Sequence, residues 1–270
     1  MNRPWKLLTI MLGILIVLAA AFVVYDESPD SEMLRQWQNR PPVADENNLF
    51  FALAGADVDA DEPLHALGRR VFESPTPDAI KRIAVSDQSV LSADFIGKYC
   101  RAITPKDAYF CLHAHVPEEK VPPADRKLAK RYLALRNYPA YRSEVRSDAT
   151  VLALPFVKLH TAYWSAQPFD TPEKMSVDEL LTSTLFLRDA LAKSDQLVHR
   201  LVTAVLLERN IRIITELVEL GTPSQAAALK VALTRLPPVA LDVSRDIAFE
   251  YATQRTSYQL LRNDLLAGGG

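Results

Sequence analysis

Residues 176–220 read SVDELLTSTLFLRDALAKSDQLVHRLVTAVLLERNIRIITELVEL, and this stretch decides the fold class. Ser176 and Glu179 form a capping box, a pattern that begins a helix. Apolar residues then recur every three or four positions, which is the spacing of one helix face. We predict two helices here, the second ending before Gly221. The second helix carries its apolar stripe at Leu197, Leu201, Val205, Ile214, Leu217 and Val218.

The same spacing continues on both sides of this stretch. Pro122-Pro123 opens a helix that ends near Asn137, and a stripe over residues 145–163 predicts another, kinked or split by Pro155. The last helix has its own stripe, and no segment shows the period-two alternation of a strand. We therefore predict an all-α protein of about eight to ten helices, packed as a bundle or an irregular array. The stripe of the last helix is Val243, Ile247, Tyr251, Tyr258 and Leu261.

An uncharged apolar run occupies residues 7–25, preceded by Arg3 and Lys6 and followed by acidic residues. A helix of this length spans roughly 28 Å, close to the hydrocarbon thickness of a bilayer. Positive charge before the run places the N-terminus in the cytoplasm. We expect a single-pass transmembrane anchor in the bacterial inner membrane, with the rest of the chain in the periplasm. A secretory signal cleaved after Ala21 is the alternative, and it also exports the chain.

The predicted organisation follows from this anchor. Residues 1–6 are cytoplasmic, 7–25 span the membrane, 78–267 form the helical domain and 268–270 a flexible tail. Residues 26–77 form a juxtamembrane and irregular segment, in which we expect short helices at 31–39 and 63–72. A break at 168–172 could divide the helical domain. From Asp26 onward the chain has 29 basic and 33 acidic residues, which argues against a nucleic-acid partner.

Cys100 and Cys111 are the only two cysteines. In an oxidising compartment we expect them to form a disulfide. Cys111 and His115 are four residues apart on a predicted helix and are weak candidates for a zinc site, which would need two further ligands. No cofactor motif is found, so we predict no cofactor.

A basic segment provides a candidate surface for an anionic partner. It contains Arg126, Lys127, Lys130 and Arg131, whose spacing places basic side chains along a helix. An ordinary solvated helix face is the simpler interpretation of the same pattern.

Motifs for catalysis are missing from the sequence. It contains no G-x-S-x-G, S-x-x-K or H-E-x-x-H pattern. Glu73, in a glutamate–serine pair, is the best candidate carboxylate for a cell-wall or lipid lyase or hydrolase, although a proline-rich break follows it directly.

The segment from Pro42 through Asn48, Phe50 and Gly55 to Gly68-Arg69 resembles a stretch of uncharacterised proteobacterial envelope proteins that follows their membrane anchor. The resemblance covers about thirty residues and implies an envelope location rather than an activity. We therefore expect a non-enzymatic interaction or envelope-assembly protein with a protein partner, and a hydrolase or lyase acting through Glu73 is the alternative.

Overall fold

The computed structural model describes residues 32–84, 121–166, 177–220, 227, 230 and 236–267. The chain divides into two compact units, residues 1–40 and residues 41–270. Of the first unit, the structure describes helix α1 (Glu32–Gln38) and the two residues after it. There the Arg40 guanidinium lies 3.0 Å from the centre of the Trp37 ring, a cation–π contact.

The described part of the second unit consists of helices joined by loops and short 3-10 turns, with isolated β-bridges but no strand. The all-α prediction is therefore confirmed. None of the helices in the described ranges is both long and apolar enough to cross a bilayer, and the predicted anchor at 7–25 lies outside these ranges. The helices are α2 (Leu49–Gly55), α3 (Leu64–Glu73), α4 (Pro123–Leu135), α5 (Phe156–Ser165), α6 (Val177–Lys193), α7 (Leu197–Leu220) and α8 (Ser244–Ala267).

Helices α2 and α3 form a tightly packed pair inside the second unit. Asn48 begins α2, because its side-chain oxygen accepts a hydrogen bond from the Phe50 backbone N–H at 3.1 Å. Every residue of α2 is buried. The short helix expected at 63–72 is confirmed as α3. The expectation that the whole of 26–77 lies outside the helical domain is wrong for residues from Pro41 onward, since the compact unit begins there.

The prediction of a helix over residues 145–163 is confirmed only after Pro155. Residues 149–155 are irregular, and α5 begins at Phe156. Proline disfavours a helical conformation in the residue before it. The buried Arg146 also fixes this segment in a non-helical path. Its guanidinium donates to the Ser74 carbonyl oxygen just after α3 and pairs with Asp148.

A core rich in aromatic residues joins helices α4, α5 and α6 of the second unit. The Tyr132 ring of α4 stacks on Tyr163 of α5, with centroids 4.8 Å apart, and Phe186 of α6 meets Tyr132 edge-on. The residues before and after the predicted break at 168–172 belong to this one compact unit. Residues 167–176 themselves lie outside the described ranges.

Candidate interaction surface

The first half of helix α7 has buried polar side chains on its inner face, beside Leu206 and Leu207, and exposed aliphatic side chains on its outer face. His199, Thr203 and Asn210 are buried, at 3%, 0% and 0% exposure. An amphipathic helix of a globular protein normally turns its apolar side chains inward and its polar side chains outward, so these exposed aliphatic and buried polar side chains depart from the usual arrangement. The exposed residues lie within about 100° of the helix circumference, and we call them the α7 outer stripe. They are Leu197, Val198, Leu201 and Val205, at 40%, 61%, 58% and 48% exposure.

Hydrogen bonds to α6 account for the inward position of Asn210. Its amide nitrogen donates to Ser183 Oγ at 3.2 Å and to Thr184 Oγ1 at 3.3 Å. Ser183 Oγ also lies 3.1 Å from the Tyr132 hydroxyl of α4. A buried amide costs several kcal/mol when it has no partner, so these contacts fix the rotation of α7 about its axis.

His199 occupies an aromatic site one turn from the start of α7. Its ring is stacked between Tyr141, at 4.7 Å between centroids, and Phe156, at 5.4 Å. Burial, together with the neighbouring Arg200, lowers the pKa of His199 to about 3, so the ring is neutral at pH 7. Its Nδ1 lies 3.1 Å from Ser194 Oγ. These contacts assign His199 to the core.

Arg200 joins the start of α8 to the start of α7. Its Nε lies 2.6 Å from the Asp246 carboxylate in the first turn of α8, and both side chains are buried. The guanidinium also donates to the carbonyl oxygens of Ala240 at 2.8 Å and Ser194 at 2.7 Å. This ion pair therefore places the N-terminal turn of α8 beside the first turn of α7.

Helix α8 also exposes an apolar stripe. Asp246, Phe249 and Thr253 are buried, while the stripe on the opposite face of the helix faces outward. The α8 outer stripe consists of Ile247, Tyr251, Gln254, Tyr258 and Leu261. Ile247, Tyr258 and Leu261 are 49%, 54% and 57% exposed. The sequence stripe that predicts this helix is thus its solvent-facing side.

The Asp246 carboxyl should make folding stability depend on pH. Burial raises the pKa of Asp246 to about 6, because its effect is larger than the lowering by the positive charge of Arg200. Because the folded chain holds this proton more tightly than the unfolded chain, the contribution is fully present below about pH 4 and is lost as pH rises through 6. We expect the Asp246→Asn variant to lack this loss of stability. The measurement is the free energy of unfolding by urea, for the wild type and the variant, from pH 4 to 7. A difference between the two proteins that stays constant over this range would contradict the prediction.

The sequence-predicted catalytic and metal candidates are not brought together by the structure. Glu73 ends α3 with its side chain 65% exposed and 3.9 Å from Arg69, which is an ordinary surface contact. Cys100, Cys111 and His115 lie outside the described ranges. Among the described residues, no three histidine, cysteine or carboxylate side chains converge as metal ligands.

The predicted anionic-partner surface on α4 is only partly a surface. Arg126 and Lys130 are exposed, and the half-buried Lys127 pairs with Asp61 at 3.0 Å. Including Arg131 in this surface was wrong, since it is 8% exposed. Its guanidinium donates to three backbone carbonyl oxygens of the loop after α2, those of Ala56, Val58 and Ala60.

Sequence reasoning missed the outward orientation of the stripes on α7 and α8. A signal was present, because His199, Thr203 and Asn210 recur at helical spacing on a different face of the helix from Leu197, Leu201 and Val205. Such a polar stripe matches a buried hydrogen-bonding face only when a neighbouring helix supplies partners, as Ser183 and Thr184 do.

Comparison with protein-family models, curated proteins and solved structures finds no match for this chain.

Proposed function

We propose that this protein is a membrane-anchored binding protein of the bacterial periplasm that contacts an envelope protein through the α7 outer stripe. One observation carries the binding role: four aliphatic side chains on one face of α7 are exposed, while His199, Thr203 and Asn210 of the same helix are buried. The apolar run at 7–25, with positive charge before it and acidic residues after it, supports the anchor and the compartment.

Hydrophobic burial provides the driving force for such an interaction. Covering an exposed valine or leucine side chain is worth about 1–3 kcal/mol. Neighbouring exposed apolar side chains mark contact sites more reliably than scattered ones do. Leu241 and Val243, 66% and 43% exposed, precede α8, whose first turn the Arg200–Asp246 pair holds beside α7. They add exposed apolar side chains near the start of α7, since the Ala240 carbonyl oxygen just before them accepts a hydrogen bond from Arg200.

A matched pair of variants tests this proposal. Val205→Asp places a charge in the α7 outer stripe, and Val157→Asp makes the same change on α5, at 43% instead of 48% exposure. A crosslinker that cannot pass the inner membrane is applied to cells with a permeabilised outer membrane. We expect the wild type and Val157→Asp to be linked to a common partner, and Val205→Asp to lose at least tenfold of that product.

Two results would count against the proposal, and they differ. Equal crosslinking of both variants would show that the α7 outer stripe does not contact the partner. Absence of crosslinks in every protein, restored by a crosslinker that enters the cytoplasm, would contradict the periplasmic location. The alternative lyase or hydrolase has no supporting observation around Glu73.

A further inference from the structure

The α8 outer stripe has the spacing of a coiled-coil seam. Ile247, Tyr251, Gln254, Tyr258 and Leu261 are separated by four, three, four and three residues, which is the a/d pattern of a heptad repeat. In this register Ile247, Gln254 and Leu261 occupy d positions, and Tyr251 and Tyr258 occupy a positions. The five side chains lie within about 80° of the helix circumference.

The opposite face of α8 is already used within its own unit. Phe249 and Ala252 are 2% and 7% exposed, and Asp246 is fully buried against Arg200. The seam therefore points away from the body of the protein. A second helix could lie along it without displacing any described contact of α8.

The second half of α8 has little support of its own. Every residue from Ser257 to Asn263 is exposed, so this part of the helix is surrounded by solvent. Helices without tertiary packing are marginally stable in water, and most helical stability in proteins comes from a packed apolar face. Tyr258 and Leu261 provide such a face only when a partner covers them.

Two charged residues beside the seam indicate what that partner is. Glu250 and Arg255 occupy g and e positions, five residues apart, and both are half-buried. In the described part of the chain, neither forms an ion pair with an opposite charge. In a parallel two-stranded coiled coil, a g residue of one helix faces the e residue five positions later in the other. A second copy of this helix would thus place its Arg255 beside Glu250 of the first copy. By symmetry, Arg255 of the first copy would lie beside Glu250 of the second.

The antiparallel arrangement fits the charges less well. It brings e positions of the two helices together, and two of the e positions here are Arg255 and Arg262. Like charges at such positions repel. The parallel arrangement also places Gln254 opposite its own copy, where the two side-chain amides can hydrogen-bond to each other and fix the register.

We propose that the protein forms a parallel homodimer in which the α8 outer stripes of two copies pack in register. The two bodies then lie on opposite sides of the two-fold axis, since each contacts the face of α8 opposite the seam. This goes beyond the proposed partner contact, because it uses a different helix face and a different occupant.

Variants of the full chain that carry one cysteine in addition to the native Cys100 and Cys111 test the pairing in detergent. Gln254→Cys and Leu261→Cys sit one heptad apart in the seam, and Gln259→Cys is an exposed control outside it. Under mild oxidation both seam variants should form disulfide-linked dimers at least fivefold above Gln259→Cys and the wild type. Linking of only one seam variant would indicate an antiparallel contact, and linking of neither would indicate no contact. Either result overturns the proposal.

A charge exchange gives an independent test. Glu250→Arg and Arg255→Glu should each raise the dimer dissociation constant about tenfold, measured by light scattering across a concentration series. The double variant E250R/R255E should return to within about threefold of the wild type. A double variant as weak as the two single variants combined would overturn the proposed pairing. The Val205→Asp crosslinking result does not depend on either outcome.

Discussion

Replacing Gly68 by alanine is expected to prevent the second unit from folding at 37 °C. An ideal Cβ at this position would lie 1.7 Å from the Phe51 carbonyl oxygen and 2.5 Å from the Phe51 carbonyl carbon. Both are backbone atoms of α2, so no side-chain rotation relieves the overlap. Separating α2 from α3 would open the core around Phe51, at a cost of about 4 kcal/mol or more.

Circular dichroism against urea concentration measures this effect, and Ala66→Gly in the same helix serves as the control. The control lowers intrinsic helix stability by about 1 kcal/mol without adding an atom. Gly68→Ala should raise intrinsic helix stability by a similar amount and still destabilise the protein far more than the control does. An unfolding midpoint for Gly68→Ala at or above that of the wild type would show that α2 and α3 do not cross at these residues.

Replacing Arg131 by methionine should destabilise the protein by about 3 kcal/mol or more. The guanidinium donates to the carbonyl oxygens of Ala56, Val58 and Ala60 at 3.1, 2.5 and 2.5 Å. Methionine retains the apolar length of the side chain but removes the donor to the Ala56 and Ala60 carbonyl oxygens, and a buried acceptor without a donor costs about 1–3 kcal/mol. The Val58 carbonyl oxygen keeps a hydrogen bond from the Ala60 backbone N–H at 3.0 Å. The loop between α2 and α3 would lose its attachment to α4.

Lys127→Met is the matched control for this prediction. Lys127 lies four residues earlier on the same helix, and its partners Asp59 and Asp61 are 34% and 92% exposed. Exposed ion pairs contribute about 1 kcal/mol or less. Urea unfolding should therefore separate the two variants by at least 2 kcal/mol. Equal losses would mean that Arg131 is a surface residue, as its sequence pattern alone suggests.

The helices that the sequence predicts well have strong periodic stripes. Helices α6, α7 and α8 follow from apolar spacing, and Pro123 marks the start of α4. Helix α2 could not be found in this way, because its sequence LFFALAG is apolar on every side. A short helix that is buried on every side has no polar face, so its sequence lacks the periodic spacing of apolar residues that predicts a helix.

Which face of a helix points inward depends on its neighbours. The buried position of Asn210 requires hydroxyl groups on α6, and that of Arg131 requires carbonyl groups in a loop some seventy residues earlier. Local spacing contains neither fact. Residues 149–155 illustrate the same limit, since a continuous stripe there is interrupted by Pro155 and by the contacts of Arg146.

Hydroxyl-radical footprinting of the purified chain tests the exposed apolar face of α7 most directly. Trypsin releases the peptide LVTAVLLER, residues 201–209, which contains both faces of the helix. Leu201 and Val205 are 58% and 48% exposed, while Leu206 and Leu207 are 0% and 3% exposed. We predict oxidation at Leu201 and Val205 with at least tenfold less at Leu206 and Leu207. Equal oxidation of the three leucines, or protection of Leu201, would contradict an outward apolar stripe.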